Sequence, residues 1–244
     1  MSAIDFDKLL YQAKLAHNAN LPQKTFKLME TIIKNKKEDL TAEERNLFAL
    51  SFKHSISAIR ASLNKCNELL SSEETKDSTS ASCSLIKSLK TNIEIELKDS
   101  CKLMIDLLEY HLIKNATSPD SKVFYYKLKG DYYRYLATFF TDNEYSQNAL
   151  LAYKQATQFS DGLSFINPIK IDLALSFSVF YYDVLKEHDE AIGIASDALN
   201  EGLELLEKIE ESDMKEATAS LQMLKDNIEF WTKDNKEQDN ADDI

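Results

Sequence analysis

The sequence predicts an all-α protein, and three observations lead to that prediction. Apolar residues recur at helical spacing through nearly all of the 244 residues, a period typical of amphipathic helices. No segment keeps the alternation of apolar and polar residues that a half-buried strand shows. The chain also has only 4 glycines and 3 prolines. Such a chain has few positions for tight turns, which favours long helices.

The periodicity divides the chain into helices whose starts carry recognisable signals. Thr41 followed by Glu44 is a capping box, and Pro22, Pro119 and Pro168 suit the first turn of a helix. Short connections between the helices make neighbours antiparallel. The predicted ranges are about 4–20, 22–36, 41–70, 84–115, 118–142, 144–161, 168–186, 188–206 and 213–232.

Two polar segments are expected to lie outside the helices. Residues 71–84 are rich in serine and threonine and are expected to form a solvated loop. Residues 233–244 are polar, acidic and free of aromatics, so this tail is expected to be disordered. Residues 1–232 then form a single helical domain.

The charge and composition exclude several classes of partner. A net charge of −12 argues against nucleic acid, because affinity for phosphate backbones comes from broad basic surfaces. The longest apolar run, from Leu173, is about half a membrane span, and the N-terminus lacks the apolar core of a signal peptide. We therefore expect no membrane association. The expected location is the cytoplasm, with the nucleus left open as a second location.

Enzymatic chemistry has little support in the sequence. The four histidines are scattered, and neither HExxH nor a glycine-rich phosphate loop occurs. Cys66, Cys83 and Cys101 are odd in number and show no CxxC spacing, which indicates reduced thiols and no zinc site. We expect no catalytic activity, no metal and no cofactor.

Arginine usage points to a binding site for an oxyanion. Only three of the 29 basic residues are arginines, Arg45, Arg60 and Arg134. Lys53 precedes Arg60 by seven residues, and Lys127 precedes Arg134 by the same spacing, so each pair lies on one helix face. Arginine gives phosphate or carboxylate two rigid hydrogen bonds, whereas lysine is a point charge. A bound oxyanion is one interpretation, and a solvated basic stripe is the other.

Residues near Arg134 suit the same interpretation. Tyr135 follows it and can donate a phenolic hydroxyl to the anion. Asp131, one turn earlier, and Asp183, on a neighbouring helix, are expected to hold the guanidinium in place. The overall negative field opposes an anion but is screened over about 8 Å, whereas each charge-assisted hydrogen bond contributes about 1.5–3 kcal/mol.

Two helices carry mixed apolar and polar stripes whose residues step by four. Such a mixture is typical of a groove wall that binds a peptide, and plain core packing explains the apolar members equally well. The stripes are Leu175, Val179 and Asp183 on one helix, and Met223, Asn227 and Trp231 on the last.

Four stretches together resemble the 14-3-3 proteins, and the resemblance spans nearly the whole chain. The stretches are EERNLF (43–48), SKVFYYKLKGDYYRYLA (121–137), NPIKIDLALSFSVFYYDVL (167–185) and LKDNIEFWT (224–232). The resemblance implies nine antiparallel helices, a tetratricopeptide-like array that forms a concave amphipathic groove. It also implies a non-catalytic adaptor, usually dimeric, that binds phosphoserine or phosphothreonine segments of client proteins and so regulates their activity, localisation or assembly.

The resemblance also assigns roles to individual residues. It places the phosphate on Arg60, Arg134 and Tyr135, with Lys53 beside them. It places residues along the peptide groove at Lys127, Leu175, Val179, Asn227 and Trp231.

Three groove residues depart from the family pattern. Ser176 replaces an asparagine that holds the ligand backbone, and one short hydroxyl cannot supply both the donor and the acceptor of an amide. Ala219 and Ser220 stand where the family prefers large aliphatic residues. These changes predict phosphopeptide binding with lower affinity or altered preference.

The dimer surface departs further. In the family, a basic, an aromatic and an acidic residue of the first interhelical turn pair across the two-fold axis. Here Leu21, Pro22 and Lys24 replace them, opposite Leu89, Asn92 and Glu96. Since exposed ion pairs stabilise little, apolar contacts are expected to sustain a homodimer, or a heterodimer with another 14-3-3 chain. The apolar residues expected to contribute are Leu15, Ala16, Ala19, Leu63 and Leu89.

Two other functions stay open from the sequence. Residues 130–159 resemble one tetratricopeptide repeat, with Ala149, Tyr153 and Ala156 at packing positions, although no second clear copy follows. A scaffold of that type binds unphosphorylated peptides. Alternatively, the acidic tail of an atypical 14-3-3 protein occupies its own groove.

Overall fold

The structure, a computed structural model, describes residues 4–163, 167–206 and 211–242, and most of these residues are helical. Those residues form nine helices and no strand, which confirms the predicted all-α class. The chain folds as two compact units, Met1–Ala116 and Thr117–Ile244. In the described part of the chain, no helix is both long enough and apolar enough to cross a bilayer.

The first unit contains four helices. They are α1 (Phe6–Asn18), α2 (Pro22–Asn35), α3 (Ala42–Asp77) and α4 (Ala81–Leu107), the last continuing through a π-helical turn (Leu108–Leu112) and a short α-helical turn (Ile113–Asn115). In the core, the ring of Phe26 packs against those of Phe48 and Phe52, with centroids 6.1 and 4.8 Å apart. The three cysteine thiols are buried in this unit.

The predicted capping box starts α3. The Thr41 hydroxyl accepts a hydrogen bond from the Glu44 amide at 3.3 Å, and the Glu44 carboxylate accepts one from the Thr41 amide at 2.8 Å. The Lys36 ammonium reaches the same carboxylate at 2.8 Å. Both orphan amides at the helix start are therefore satisfied, and the buried acid is neutralised.

The predicted loop at 71–84 is wrong for most of its length. The structure continues α3 to Asp77 and begins α4 directly after Ser80, whose hydroxyl accepts from the Cys83 amide. The Glu74 carboxylate pairs with Lys87 of α4 at 2.8 Å. Glutamate and lysine are good helix formers, and the serines lie on solvated faces, so a polar composition here indicates surface and not loop.

The second unit contains five helices. They are α5 (Pro119–Phe139), α6 (Asn143–Ser160), α7 (Pro168–Phe180), α8 (His188–Leu206) and α9 (Glu211–Asp242), with a π-helical segment (Tyr181–Leu185) after α7. Ser118, Asp142 and Asn167 cap the starts of α5, α6 and α7 with their side chains. The π segment ends at Lys186, whose φ of 61° is left-handed and stops the helix.

The last helix is longer than expected. The sequence predicts an end at 232 and a disordered tail, whereas α9 continues to Asp242. The Tyr182 hydroxyl donates to the Asp234 carboxylate. This contact ties the first turn beyond 232 to the body of the second unit, which local composition cannot reveal.

Helices α5 and α6 approach closely at Gly130. A Cβ at this position would lie 2.7 Å from the ring of Tyr153. The Tyr153 ring in turn stacks on Phe177 of α7, with centroids 5.2 Å apart. The absence of a side chain at Gly130 thus lets a buried tyrosine lie flat against α5.

We predict that Gly130→Ala lowers the free energy of unfolding by about 1–3 kcal/mol, because its methyl group overpacks the Tyr153 ring. Gly193→Ala is the matched control, since Gly193 is helical and has no atom within 4 Å of an added Cβ. The control should gain about 0.5–1 kcal/mol from helix propensity. Urea titration of both variants measures the difference, and equal shifts would contradict the close approach.

Candidate functional site

A charged cluster lies on one face of α5. The Lys127 ammonium contacts the Asp131 carboxylate at 3.1 Å, and the Arg134 guanidinium contacts the same carboxylate at 3.4 Å. The spacings of four and three residues bring these side chains together on a helix. Asp131 therefore joins the two cations.

Tyr153 of α6 fixes the arginine from the other side. Arg134 Nε donates to the Tyr153 hydroxyl at 3.2 Å, and that hydroxyl donates to Asp131 Oδ1 at 2.7 Å. The guanidinium also lies over the ring of Tyr135, 4.8 Å from its centroid. Arg134 Nη2 also donates to Asp131 Oδ1 at 3.4 Å, so these hydrogen bonds use two of the five N–H donors of the guanidinium. Arg134 is therefore held in place, and its other donors are left for a ligand.

The cluster keeps its charges at neutral pH. Burial lowers the pKa of Arg134, but Tyr153 and Asp131 raise it by more. Burial raises the pKa of Asp131, but Lys127 and Arg134 lower it below its ordinary value. Burial and Asp131 raise the pKa of Tyr153 well above its ordinary value. The phenol therefore stays a neutral donor between two charged groups.

Lys127 connects the cluster to α7 and α9. Its ammonium donates to the Ser176 hydroxyl at 3.4 Å. Burial lowers the pKa of Lys127, while Asp131 and Asp172 raise it by more. Asp172 in turn accepts a hydrogen bond from the Ser220 hydroxyl at 2.6 Å. A row of polar groups thus runs from α5 across α7 to α9.

An apolar wall adjoins this polar row. Leu175 and Val179 are partly buried and pack on a core cluster that contains Ile171 and Trp231. Trp231 is only 4% exposed and stacks on Tyr182, with ring centroids 4.7 Å apart. The tryptophan therefore supports the wall from the inside and has little surface for a ligand.

The remaining predicted groove residues differ in exposure. On α9, Met223 is half-exposed and Asn227 is partly buried. Asp183 lies exposed on the π-helical segment. The prediction that Asp183 holds the guanidinium is wrong for the chain as described, since the hydrogen bonds of Arg134 go to Asp131 and Tyr153.

The other predicted phosphate ligands belong to the first unit. Arg60 is partly buried and Lys53 is exposed, both on α3. Arg60 lies near enough to the Cys101 thiol of α4 to lower its pKa, although burial outweighs this and raises that pKa to about 12. The role of Arg60 and Lys53 toward phosphate stays a prediction.

The predicted dimer residues fall into two groups. Leu15, Ala19, Leu21, Leu89 and Glu96 are exposed. Ala16 and Leu63 are buried, at 5% and 0% exposure. Their assignment to an interface is corrected, because they pack inside the first unit. Helical spacing alone does not distinguish an interface stripe from the core stripe beside it.

Two residues of the polar row were not assigned to the site from the sequence. Tyr153 was interpreted as a core aromatic, and its hydroxyl contacts become visible only when α6 is placed against α5. Asp172 stands four residues before Ser176, so its position on the same helix face was a usable signal. No group of three or more His, Cys, Asp or Glu side chains suited to a metal ion occurs among the described residues.

The fold and the site together define a helical binding protein with a basic cluster beside an apolar wall. The chain matches the family model described as 14-3-3 protein over residues 12–232. It therefore belongs to the 14-3-3 family, as the resemblance predicted. Proteins of this family are non-catalytic adaptors or scaffolds that bind client proteins and, in general, form dimers.

Curated relatives resemble the chain over most of its length. It is 40% identical to a 14-3-3-like protein GF14-E of Oryza sativa subsp. japonica, over 92% of this chain and 87% of the relative. The checkpoint signal transducer rad24 of Schizosaccharomyces pombe is also 40% identical, over 96% and 87% of the respective chains. For the 14-3-3-like protein GF14 chi of Arabidopsis thaliana, 40% identity extends over 98% and 90%.

We predict that Tyr153→Phe lowers the free energy of unfolding by about 1–3 kcal/mol, because it removes a buried hydrogen-bond partner from both Asp131 and Arg134. Tyr126→Phe serves as the control. The Tyr126 ring stacks on Phe159, with centroids 5.5 Å apart, and its hydroxyl lies outside the cluster. Chemical denaturation of the two variants should separate them clearly; a loss of equal size in both would show that the hydroxyl network contributes nothing special.

Proposed function

We propose that this 14-3-3 protein is an adaptor that binds phosphoserine or phosphothreonine segments of client proteins. The observation that supports this most strongly is the geometry of Arg134, a buried guanidinium held by Asp131 and Tyr153 with donors to spare. A phosphate group carries about −1.5 to −2 charges at neutral pH. A planar guanidinium that is already fixed in position suits a phosphate group, because little side-chain entropy is lost on binding.

The role proposed for each side chain follows from its chemistry. Arg134 and Tyr135 bind the phosphate, and Lys127 lies beside them along the groove. Leu175 and Val179, which are only partly buried, contact apolar side chains of the peptide. Asn227 and Met223 on α9, together with Ser176, offer polar and flexible apolar contacts to the peptide. Asp183 and Trp231 belong to the two predicted groove stripes; Asp183 is exposed to a peptide, while the buried Trp231 supports the wall from behind.

The resemblance extends the proposal to Arg60 and Lys53 as further phosphate ligands. This part rests on their match to the family pattern and on their shared face of α3. Arg60 and Arg134 belong to different units, so each arginine needs its own substitution.

Ser176 and Ser220 support the expectation of altered affinity. The Ser176 hydroxyl already accepts from Lys127, and the Ser220 hydroxyl already donates to Asp172. Hydroxyls that already form these hydrogen bonds offer a peptide backbone fewer hydrogen bonds than a free amide would. We propose that phosphopeptides bind this chain with a preference of their own. A signalling role in the cytoplasm is part of the proposal.

We predict that Arg134→Lys weakens binding of a phosphopeptide by about ten- to a hundredfold, since lysine keeps the charge but loses the bidentate donor pair. Fluorescence anisotropy with matched phosphorylated and unphosphorylated peptides measures the effect. Lys154→Gln, an exposed charge change on α6, is the control and should bind as the unaltered protein does. Arg60→Lys in the same assay tests the first-unit assignment.

Two results would contradict the proposal. Equal binding of phosphorylated and unphosphorylated peptides would favour a scaffold of the tetratricopeptide type. Binding could also stay unchanged after both arginine substitutions, with folding verified by circular dichroism. That result would show that neither guanidinium binds the phosphate. Tighter binding after deletion of residues 233–244 would indicate instead that the tail occupies the groove.

We propose self-association through exposed apolar residues of the first unit, with Leu15, Leu21 and Leu89 as the principal contacts. These side chains are 50%, 47% and 53% exposed, and burying them removes apolar surface from water. The family forms dimers in general, which supports a second copy or a related chain as the partner.

We predict that Leu89→Asp shifts the monomer–dimer equilibrium toward monomer by about tenfold or more, because a carboxylate is costly to bury without a partner. Sedimentation at several protein concentrations measures the shift. Leu151→Asp is the matched control, a leucine of the second unit with similar exposure, 55%. Were both substitutions to act alike, general surface hydrophobicity and not the proposed surface would govern association.

A further inference from the structure

The segment that connects the two units contains a serine followed directly by a proline. The boundary between the units falls between Ala116 and Thr117, and α5 begins at Pro119. The chain has 3 prolines, and Ser118 is the only serine or threonine that directly precedes one of them. The Ser118–Pro119 pair is therefore unique in the sequence, and the proposed peptide site does not use it.

Ser118 and its neighbours reach the protein surface. Thr117 and Pro119 are exposed on either side of it, and Ser118 itself is partly exposed. The backbone at Ser118 is extended, with φ of −92° and ψ of 152°. Because a proline disfavours the helical conformation of the residue before it, the sequence itself favours this conformation. An enzyme that takes its substrate as an extended segment therefore finds Ser118 already in that form.

The Ser118 hydroxyl becomes accessible after a small local opening. It accepts a hydrogen bond from the Ser121 amide at 3.1 Å and donates one to Ser121 Oγ at 3.0 Å. Both contacts lie within the first turn of α5, and Pro119 has no N–H whose hydrogen bond must be broken. Helix ends open at a small fraction of the free energy of global unfolding. The hydroxyl thus reaches an enzyme while the rest of the unit stays folded.

We propose that Ser118 is a modification site, phosphorylated by a kinase that recognises a serine followed by proline. Proline has a fixed φ and no N–H, so only a cleft that makes no hydrogen bond to that amide accepts it. The phosphoryl group comes from ATP: a bond forms between Ser118 Oγ and the γ-phosphorus, and the bond from that phosphorus to the leaving ADP breaks. The hydroxyl proton passes to a base of the kinase. This inference is independent of the proposed phosphopeptide binding.

The position of Ser118 also predicts what the phosphate does. Ser118 caps α5, so its phosphate lies at the helix end where N–H groups lack partners within the helix. A negative charge is favourable at that end. Asp120 is the nearest acidic residue in the sequence, and its carboxylate accepts a hydrogen bond from Asn167 at 2.7 Å, which offsets part of its repulsion. We therefore expect phosphorylation to stabilise the first turn of α5.

Phosphorylation of the intact chain tests the proposal. The folded protein is incubated with ATP and a proline-directed serine/threonine kinase, and mass spectrometry locates the phosphate. Pro119→Ala keeps the acceptor hydroxyl and removes the recognised proline, whereas Ser118→Ala removes the acceptor. Pro168→Ala is the matched control, because Pro168 also begins a helix but follows an asparagine. Circular dichroism verifies the folding of each variant.

The unaltered protein and Pro168→Ala should each take up about one phosphate per chain, on Ser118. Pro119→Ala should react about tenfold more slowly or less, because an alanine lacks the fixed geometry that the kinase recognises. Ser118→Ala should take up none. Amide hydrogen exchange in the first turn of α5 should slow by about two- to fivefold after phosphorylation, as expected for an anion at a helix start.

Other results would overturn the inference. A folded chain that takes up no phosphate would exclude the site, and a synthetic peptide of residues 112–125 would then show whether the fold or the local sequence is the reason. Phosphate found only on other residues, or equal rates for the unaltered protein and Pro119→Ala, would show that the Ser118–Pro119 pair is not recognised. Unchanged or faster amide exchange at the start of α5 would contradict the expected effect of the phosphate.

Discussion

The buried carboxylate of Asp131 is the central group that holds the charged side chains of the second unit together. It accepts from Lys127, Arg134 and Tyr153, and so it joins two helices while satisfying three donors. Removing one partner of a buried ion pair costs about 3–5 kcal/mol, because the charge left behind has lost its water as well as its partner. Each member is therefore held by the others, which makes the position of Arg134 well defined.

Several features of the fold serve that network. Gly130 gives the Tyr153 ring room against α5, and Phe177 and Phe180 pack on the same ring. The phenol is thus fixed by apolar packing before it acts as a hydrogen-bond donor. Polar networks of this kind are favourable when fully satisfied and costly when they are not. The charged site of the second unit therefore depends on the apolar core that positions Tyr153.

The sequence predicted the parts of this protein that depend on local signals. Helical period, capping residues and the scarcity of glycine and proline were enough for the all-α class and for most helix starts. The scarcity of arginine was enough to single out Arg134. In a chain that otherwise uses lysine, an arginine indicates a position where the paired hydrogen bonds of a guanidinium are needed. Some features escaped prediction because they depend on packing between helices. They include the hydroxyl contacts of Tyr153, the burial of Ala16 and Leu63, and the extension of α9 beyond 232. The extension of α3 escaped because its polar composition was interpreted as a loop.

The two units also differ in which spectroscopic and chemical probes they carry. All three cysteines lie in the first unit and are buried, whereas the single tryptophan, Trp231, lies in the second and stacks on Tyr182. Buried thiols react with alkylating reagents only after local opening, so labelling kinetics follow the first unit. Intrinsic fluorescence follows the second. A natural chain thus comes with separate reporters for its two halves, and comparing their transitions shows whether the halves unfold as one cooperative body.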